Sequence, residues 1–165
     1  MILRHALAFL RHARAAASAE FALAMPMMLP LIFGSMEAGN FFWSQQKLTQ
    51  AVRDGARYAA RLDYSELCPS LSSSAETAIK NLTRTGNLAG SGASKLPGMT
   101  NGQISVTPNC GQFVSTGIYS SYGSAGAIVT VKAAKVPYHS ILGLLGVIND
   151  SYSLAASANS PAIGI

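Results

Sequence analysis

The sequence predicts an α+β fold in which a long N-terminal helix, transmembrane at first and then amphipathic, packs against a small antiparallel-sheet head. Three observations carry that expectation. Residues 21–36 form an apolar run without a charge. Leu48, Val52, Ala59 and Leu62 then recur at helical intervals. Residues 103–108, 127–136 and 151–158 are short, β-branched or alternating segments of strand character. A length of 165 residues has room for one modest domain plus an anchor. Charged residues make up 12% of the chain and hydrophobic ones 49%, against a charged share of about 25% in soluble globular proteins. Such a balance leans towards the cell envelope.

The apolar run sets the first element. Extending it back to residue 16 adds one carboxylate, Glu20. A spanning helix needs about 20 residues at a rise of about 1.5 Å each, so residues 16–36 suffice. Pro26 and Pro30 each remove a backbone donor and are expected to kink or loosen this helix. In a bilayer, neighbouring groups satisfy the freed carbonyls, so the prolines are compatible with a span. After Gly39 the pattern turns amphipathic, with Gln50, Arg53, Arg57 and Arg61 off the apolar stripe, and one helix is expected from about residue 16 to residue 62. Phe41, Phe42 and Trp43 fit either an aromatic belt at the membrane surface or a contact with the head's core.

The remaining elements belong to the head. Ser73 with Glu76 three residues on has the form of a capping box, and Gly86 is a stop, so a short helix is expected between them. A Gly/Ser-rich loop follows through residues 87–98, then strands at 103–108 and 127–136 joined by a flexible connection holding Tyr119 and Tyr122. The apolar stretch 136–148 is too short and glycine-broken to cross a bilayer and reads as a core or interface segment. Residues 151–158 supply a last strand.

Charge and chemistry exclude several classes of function. The formal charge of +5 suggests a nucleic-acid partner, but Arg4, Arg11 and Arg14 supply three of those charges, and the chain without residues 1–15 would carry +2. Basic residues before an apolar span are better explained by retention on the cytoplasmic side. Paired carboxylates in a polar loop, HExxH, GxSxG and phosphate-binding glycine loops are all missing from the sequence, so no catalytic constellation, metal site or cofactor is expected. His139, alone in an apolar stretch, reads as a packed or surface residue. Tyr119 and Tyr122 offer contact area with a polar tip, as adhesive residues or as part of a solvated turn. Cys68 and Cys110 are the only cysteines; in an exported head they are a possible disulfide, worth about 3 to 4 kcal/mol by chain entropy, and otherwise two buried thiols.

Glu20 is the anomaly, because a carboxylate inside a span costs a few kcal/mol unless it is paired or near the interface. A cut between Ala15 and Ala16 would create a new amino terminus with Glu20 as the fifth residue and place Glu20 in the first turn of the helix, where the dipole favours an anion. Among parallel helices, one subunit's carboxylate would then meet another's terminal amine and set their register. The other reading is a carboxylate wetted at the membrane surface.

Residues 14–60, from Arg14 through Glu20-Phe21-Ala22-Leu23, the span proline Pro26, Glu37-x-Gly39 and Gly55-Ala56-Arg57, resemble the N-terminal signature of TadE-like pseudopilins, minor pilins of the tight-adherence (Tad/Flp) branch of type IV pili. Ala15 stands where that pattern usually has glycine. The resemblance implies a pilin-like fold and a prepilin peptidase that removes residues 1–15 by cutting Ala15 from Ala16. It also implies a polymerising helix, a function in adhesive pilus assembly rather than catalysis, and as partners the major pilin, other minor pilins, the assembly platform and the inner membrane. The expected organisation is a leader at 1–15, a transmembrane segment at 16–38 and an extracytoplasmic head at 39–165. Its N-terminus would be cytoplasmic before assembly, and its head would lie in the periplasm or on a surface pilus after it. Two other classes stay open: a secreted domain cut near Ala38, and an uncleaved, membrane-anchored binding protein or adhesin.

Overall fold

The structure, a computed structural model, describes residues 2–111, 127–144, 146 and 152–162, with side chains from residue 16 onward. Helix α1 (Ile2–Ala59) runs through both Pro26 and Pro30, and the chain divides into two compact units, Met1–Gly39 and Asn40–Ile165. α1 therefore starts well before residue 16 and ends slightly short of the expected residue 62. In the first unit, every residue from 16 to 36 is exposed, including Leu23, Met27 and Leu31.

The second unit is the head. Leu48, Ala51, Val52, Ala56 and Ala59 are buried, while Gln50, Arg53, Arg57 and Arg61 are exposed or lie off the seam, so the stripe legible in the sequence is the face that packs. Burying a side chain such as Leu48 in full stabilises by about 1.5–3 kcal/mol over leaving it in water. That stripe joins one core with Ile79, Val129, Val131, Val136 and Leu154.

Those sheet residues come from β1 (Ile104–Cys110), β2 (Ala127–Pro137) and β3 (Ser153–Ala162), antiparallel in the order β1-β2-β3. Ile104 pairs with Ala133 and Cys110 with Ala127; Ala127 also pairs with Ala162, and Val136 with Leu154. Ala127, Val129, Val131 and Ala133 alternate inward, as period-two geometry requires. A register shift between Ala133 and Val136 then changes the parity, so that Val136 also faces the core. Lys135 takes φ 57 at this bulge, and Gln103 Nε2 donates to its carbonyl at 3.0 Å.

The short helices follow: α2 (Tyr64–Leu67), α3 (Ser73–Thr85), a 3-10 turn at Asn101–Gln103, and α4 (Ile141–Leu144). For α3 the cap is Ser72 rather than the expected Ser73: its hydroxyl accepts from Ala75 N at 3.2 Å and donates to Glu66 Oε2 at 3.1 Å. Glu76, freed from a capping box, pairs with Lys80 at 2.6 Å. Gly86, at φ 80, closes the helix as expected, because that left-handed backbone suits a residue without Cβ.

The Gly/Ser-rich loop is fastened rather than merely solvated. Arg84 donates from Nε to Asn101 Oδ1 at 2.9 Å and from its terminal nitrogen to Gly90 O at 3.0 Å, and Asn101 Nδ2 reaches Asn81 Oδ1 at 2.9 Å. Leu96 and Met99 pin the loop's far end into the core. Cys68, after α2, is joined to Cys110 at the end of β1 in a disulfide that closes a sequence separation of 42 residues. Of stretch 136–148, Val136, Tyr138 and Ser140 are buried and Ile141 is partly exposed. Residues 145, 147 and 148, like Tyr119 and Tyr122, lie outside the described residues.

Candidate assembly segment

The first unit presents an apolar helix whose residues 16–36 are all exposed. Phe21 is 58% exposed and Leu23 77%, and α1 from Ala16 is long and apolar enough to cross a membrane. A helix apolar on all sides belongs in lipid or inside a protein bundle, because water gives such a surface nothing. The polar groups in this stretch are few. Ser35 turns its hydroxyl inward, donating to Ile32 O at 2.8 Å, which makes it compatible with an apolar surrounding.

Glu20 and Phe21 lie side by side on this exposed helix, with Pro26 and Pro30 within the next turns. α1 already covers residues 2–15, so Glu20 is an interior helical position. It would sit in a first turn only in a chain that begins near residue 16. The Ala15–Ala16 bond lies within α1, and the side chain of Ala15 is outside the described set.

Where α1 belongs to the head, it is tied down by contacts that sequence reasoning did not find. Asn40 Nδ2 donates to Tyr138 Oη at 2.9 Å and to His139 O at 3.1 Å. The Phe41 ring meets Tyr138 edge-on with centroids 5.3 Å apart. Gln45 Nε2 donates to Ala155 O on β3 at 2.8 Å. These pairs are separated by about a hundred residues of sequence, and a lone Asn or Gln on a helix gives no local signal of such a partner. Lys95 Nζ binds Asp54 Oδ2 at 2.8 Å, securing the loop to α1.

Gly55 is the tightest of these approaches. A Cβ at this position would overlap the Thr83 hydroxyl on α3 and lie 3.5 Å from Val131 Cγ1 on β2. The Gly55-Ala56-Arg57 motif thus has a packing reason: glycine admits α3, alanine is buried, and arginine is exposed. His139 is exposed and offers its carbonyl to Asn40, and among the described residues no group of three His, Cys, Asp or Glu is placed to hold a metal.

Comparison with known proteins agrees with this geometry. No curated protein and no solved structure matches the chain. The family model described as TadE-like protein matches residues 15–57, which begin at Ala15 and end at Arg57, beside the buried Ala56. Over those residues the chain is similar to TadE-like proteins, and among the described residues it carries one helix of membrane-spanning length.

Proposed function

We propose that this chain is a minor pilin or pseudopilin of a Tad pilus, processed by prepilin peptidase and required for assembly of the adhesive fibre. The observation that carries the reading is the unbroken exposure of residues 16–36 within the segment that matches the TadE-like family. Such a helix needs lipid before assembly and neighbouring helices after it. Inserted in the inner membrane with its N-terminus in the cytoplasm, the chain would lose residues 1–15 through a cut between Ala15 and Ala16. Glu20 would then pair with the new terminal amine of an adjacent subunit, with Phe21 packing beside it. Pro26 and Pro30 would let the helix bend as it leaves the bilayer. The major pilin, other minor pilins and the assembly platform are the partners, and the head is carried through the periplasm to the cell surface.

A null strain complemented with Glu20→Ala tests this reading. The variant is expected to insert in the membrane at wild-type level and to leave the cells without pili. Normal piliation in that strain would sink the pairing model.

A further inference from the structure

Six large hydrophobic side chains are exposed among the described residues of the head, and five of them lie on three segments that meet at Tyr138. Phe41, Phe42, Trp43, Ile141 and Tyr152 are 37%, 66%, 59%, 38% and 61% exposed; the sixth, Leu88, stands apart in the Gly/Ser-rich loop. Tyr138 joins these segments. It receives Asn40 on its hydroxyl and Phe41 on its ring, and its backbone N–H donates to Tyr152 O at 3.0 Å. Ile141 follows three residues later, at the start of α4. A shallow groove lined by Trp43, Pro97, Pro137 and Tyr138 opens at the same end. Three distant segments of sequence therefore build one aromatic rim.

The composition and chain position of the rim together point to what covers it. Trp and Tyr, with an apolar body and a polar edge, suit the layer between acyl chains and water as well as a protein contact. Lys47 Nζ lies 3.5 Å over the Trp43 ring, so a cation accompanies the indole. Lysine on a flexible stem can keep its ammonium among phosphates while its methylenes stay with the ring. Chain connectivity adds a second reason: five residues separate Met36, the end of the apolar run, from Phe42. Whatever holds that run keeps the rim close by.

We propose that this rim is a lipid-binding surface that rests in the headgroup layer of the bilayer, with Phe42, Trp43, Ile141 and Tyr152 entering the acyl boundary and Lys47 meeting phospholipid phosphates. The inference rests on the reading of residues 16–36 as a membrane span and adds to it: the folded head itself docks on the membrane surface, and extraction into a fibre must peel it off.

Trp43 is the sole tryptophan of the chain, so its fluorescence reports on the rim without labelling. The full-length protein is reconstituted in phosphatidylcholine–phosphatidylglycerol vesicles, and insertion is checked by resistance to alkaline carbonate. The expected result is a blue-shifted emission, shielding from aqueous iodide, and stronger quenching by lipids brominated near the headgroup end of the acyl chain than by lipids brominated near its tip. Tyr152→Ser, remote in sequence from Trp43, is expected to shift the emission to the red. A water-like emission quenched by iodide in carbonate-resistant protein overturns the proposal and leaves the span intact. A blue-shifted emission that brominated lipids do not quench also overturns it, by assigning the rim to a protein contact. Failure to resist carbonate removes the span reading and this proposal together.

Discussion

Gly55 on α1 faces Thr83 on α3 at a distance that leaves no room for a methyl group. Thr83 is fully buried, and its hydroxyl donates to Ile79 O at 2.8 Å, so turning it away would break a buried hydrogen bond. Alanine at position 55 would gain about 1 kcal/mol in helix propensity, yet overpacking of this kind costs typically about 1–3 kcal/mol. Gly55→Ala is expected to leave the head less stable by up to about 2 kcal/mol in urea unfolding of the chain in detergent, allowing for that offset. Adding Thr83→Ala should restore part of the loss, and purely additive losses would contradict the contact.

The Cys68–Cys110 link joins the end of α2 to the last residue of β1. A loop of 42 residues is worth about 4 kcal/mol in the chain-entropy model. Replacing both cysteines with serine should lower the unfolding free energy by about 2–4 kcal/mol, since measured values often fall below that model. Reductant should destabilise the wild type and leave the double variant unchanged. Equal stability of the two proteins under oxidising conditions would contradict this account.

Ser72 and Ser73 are neighbours with different expected consequences. Ser72→Ala removes the hydroxyl that caps α3 and should cost about 1 kcal/mol. Ser73→Ala removes an exposed hydroxyl from the first helical position and should stay within about 0.5 kcal/mol of wild type. Thermal unfolding of the pair decides which serine is the cap, and equal losses would be inconsistent with the observed bond to Ala75.

What was legible in the sequence was local and periodic. The apolar run, the Leu48/Val52/Ala59 stripe and the alternation of Val129 and Val131 each repeat at the spacing of the element that houses them, so the α+β class and the order of α1, α3 and the three strands could be read directly, whereas the one-turn helices α2 and α4 are too short to leave a period. The α3 cap was misplaced by one residue because two adjacent serines satisfy the same pattern, and only the bonds of Ser72 to Glu66 and Ala75 separate them. The loop after α3 looked solvated because its order comes from Arg84, Asn81 and Asn101 reaching across it, and from Leu96 and Met99 entering a core assembled elsewhere. The Lys135 bulge was invisible for a similar reason: strand register is a property of two segments. At the candidate segment, Glu20 stood out as a charge in an apolar run, whereas the Asn40–Tyr138 bond and the rim around it depend on contacts about a hundred residues apart.

Trimming as a pilin would leave a defined new N-terminus, so the N-terminus of the protein in its native envelope tests the proposed processing most directly. Intact mass and N-terminal sequencing, with and without prepilin peptidase, should give a chain beginning at Ala16 when the enzyme is present and one retaining residues 1–15 when it is absent. A chain that keeps its leader in both strains, or begins near Gly39, would contradict the claim.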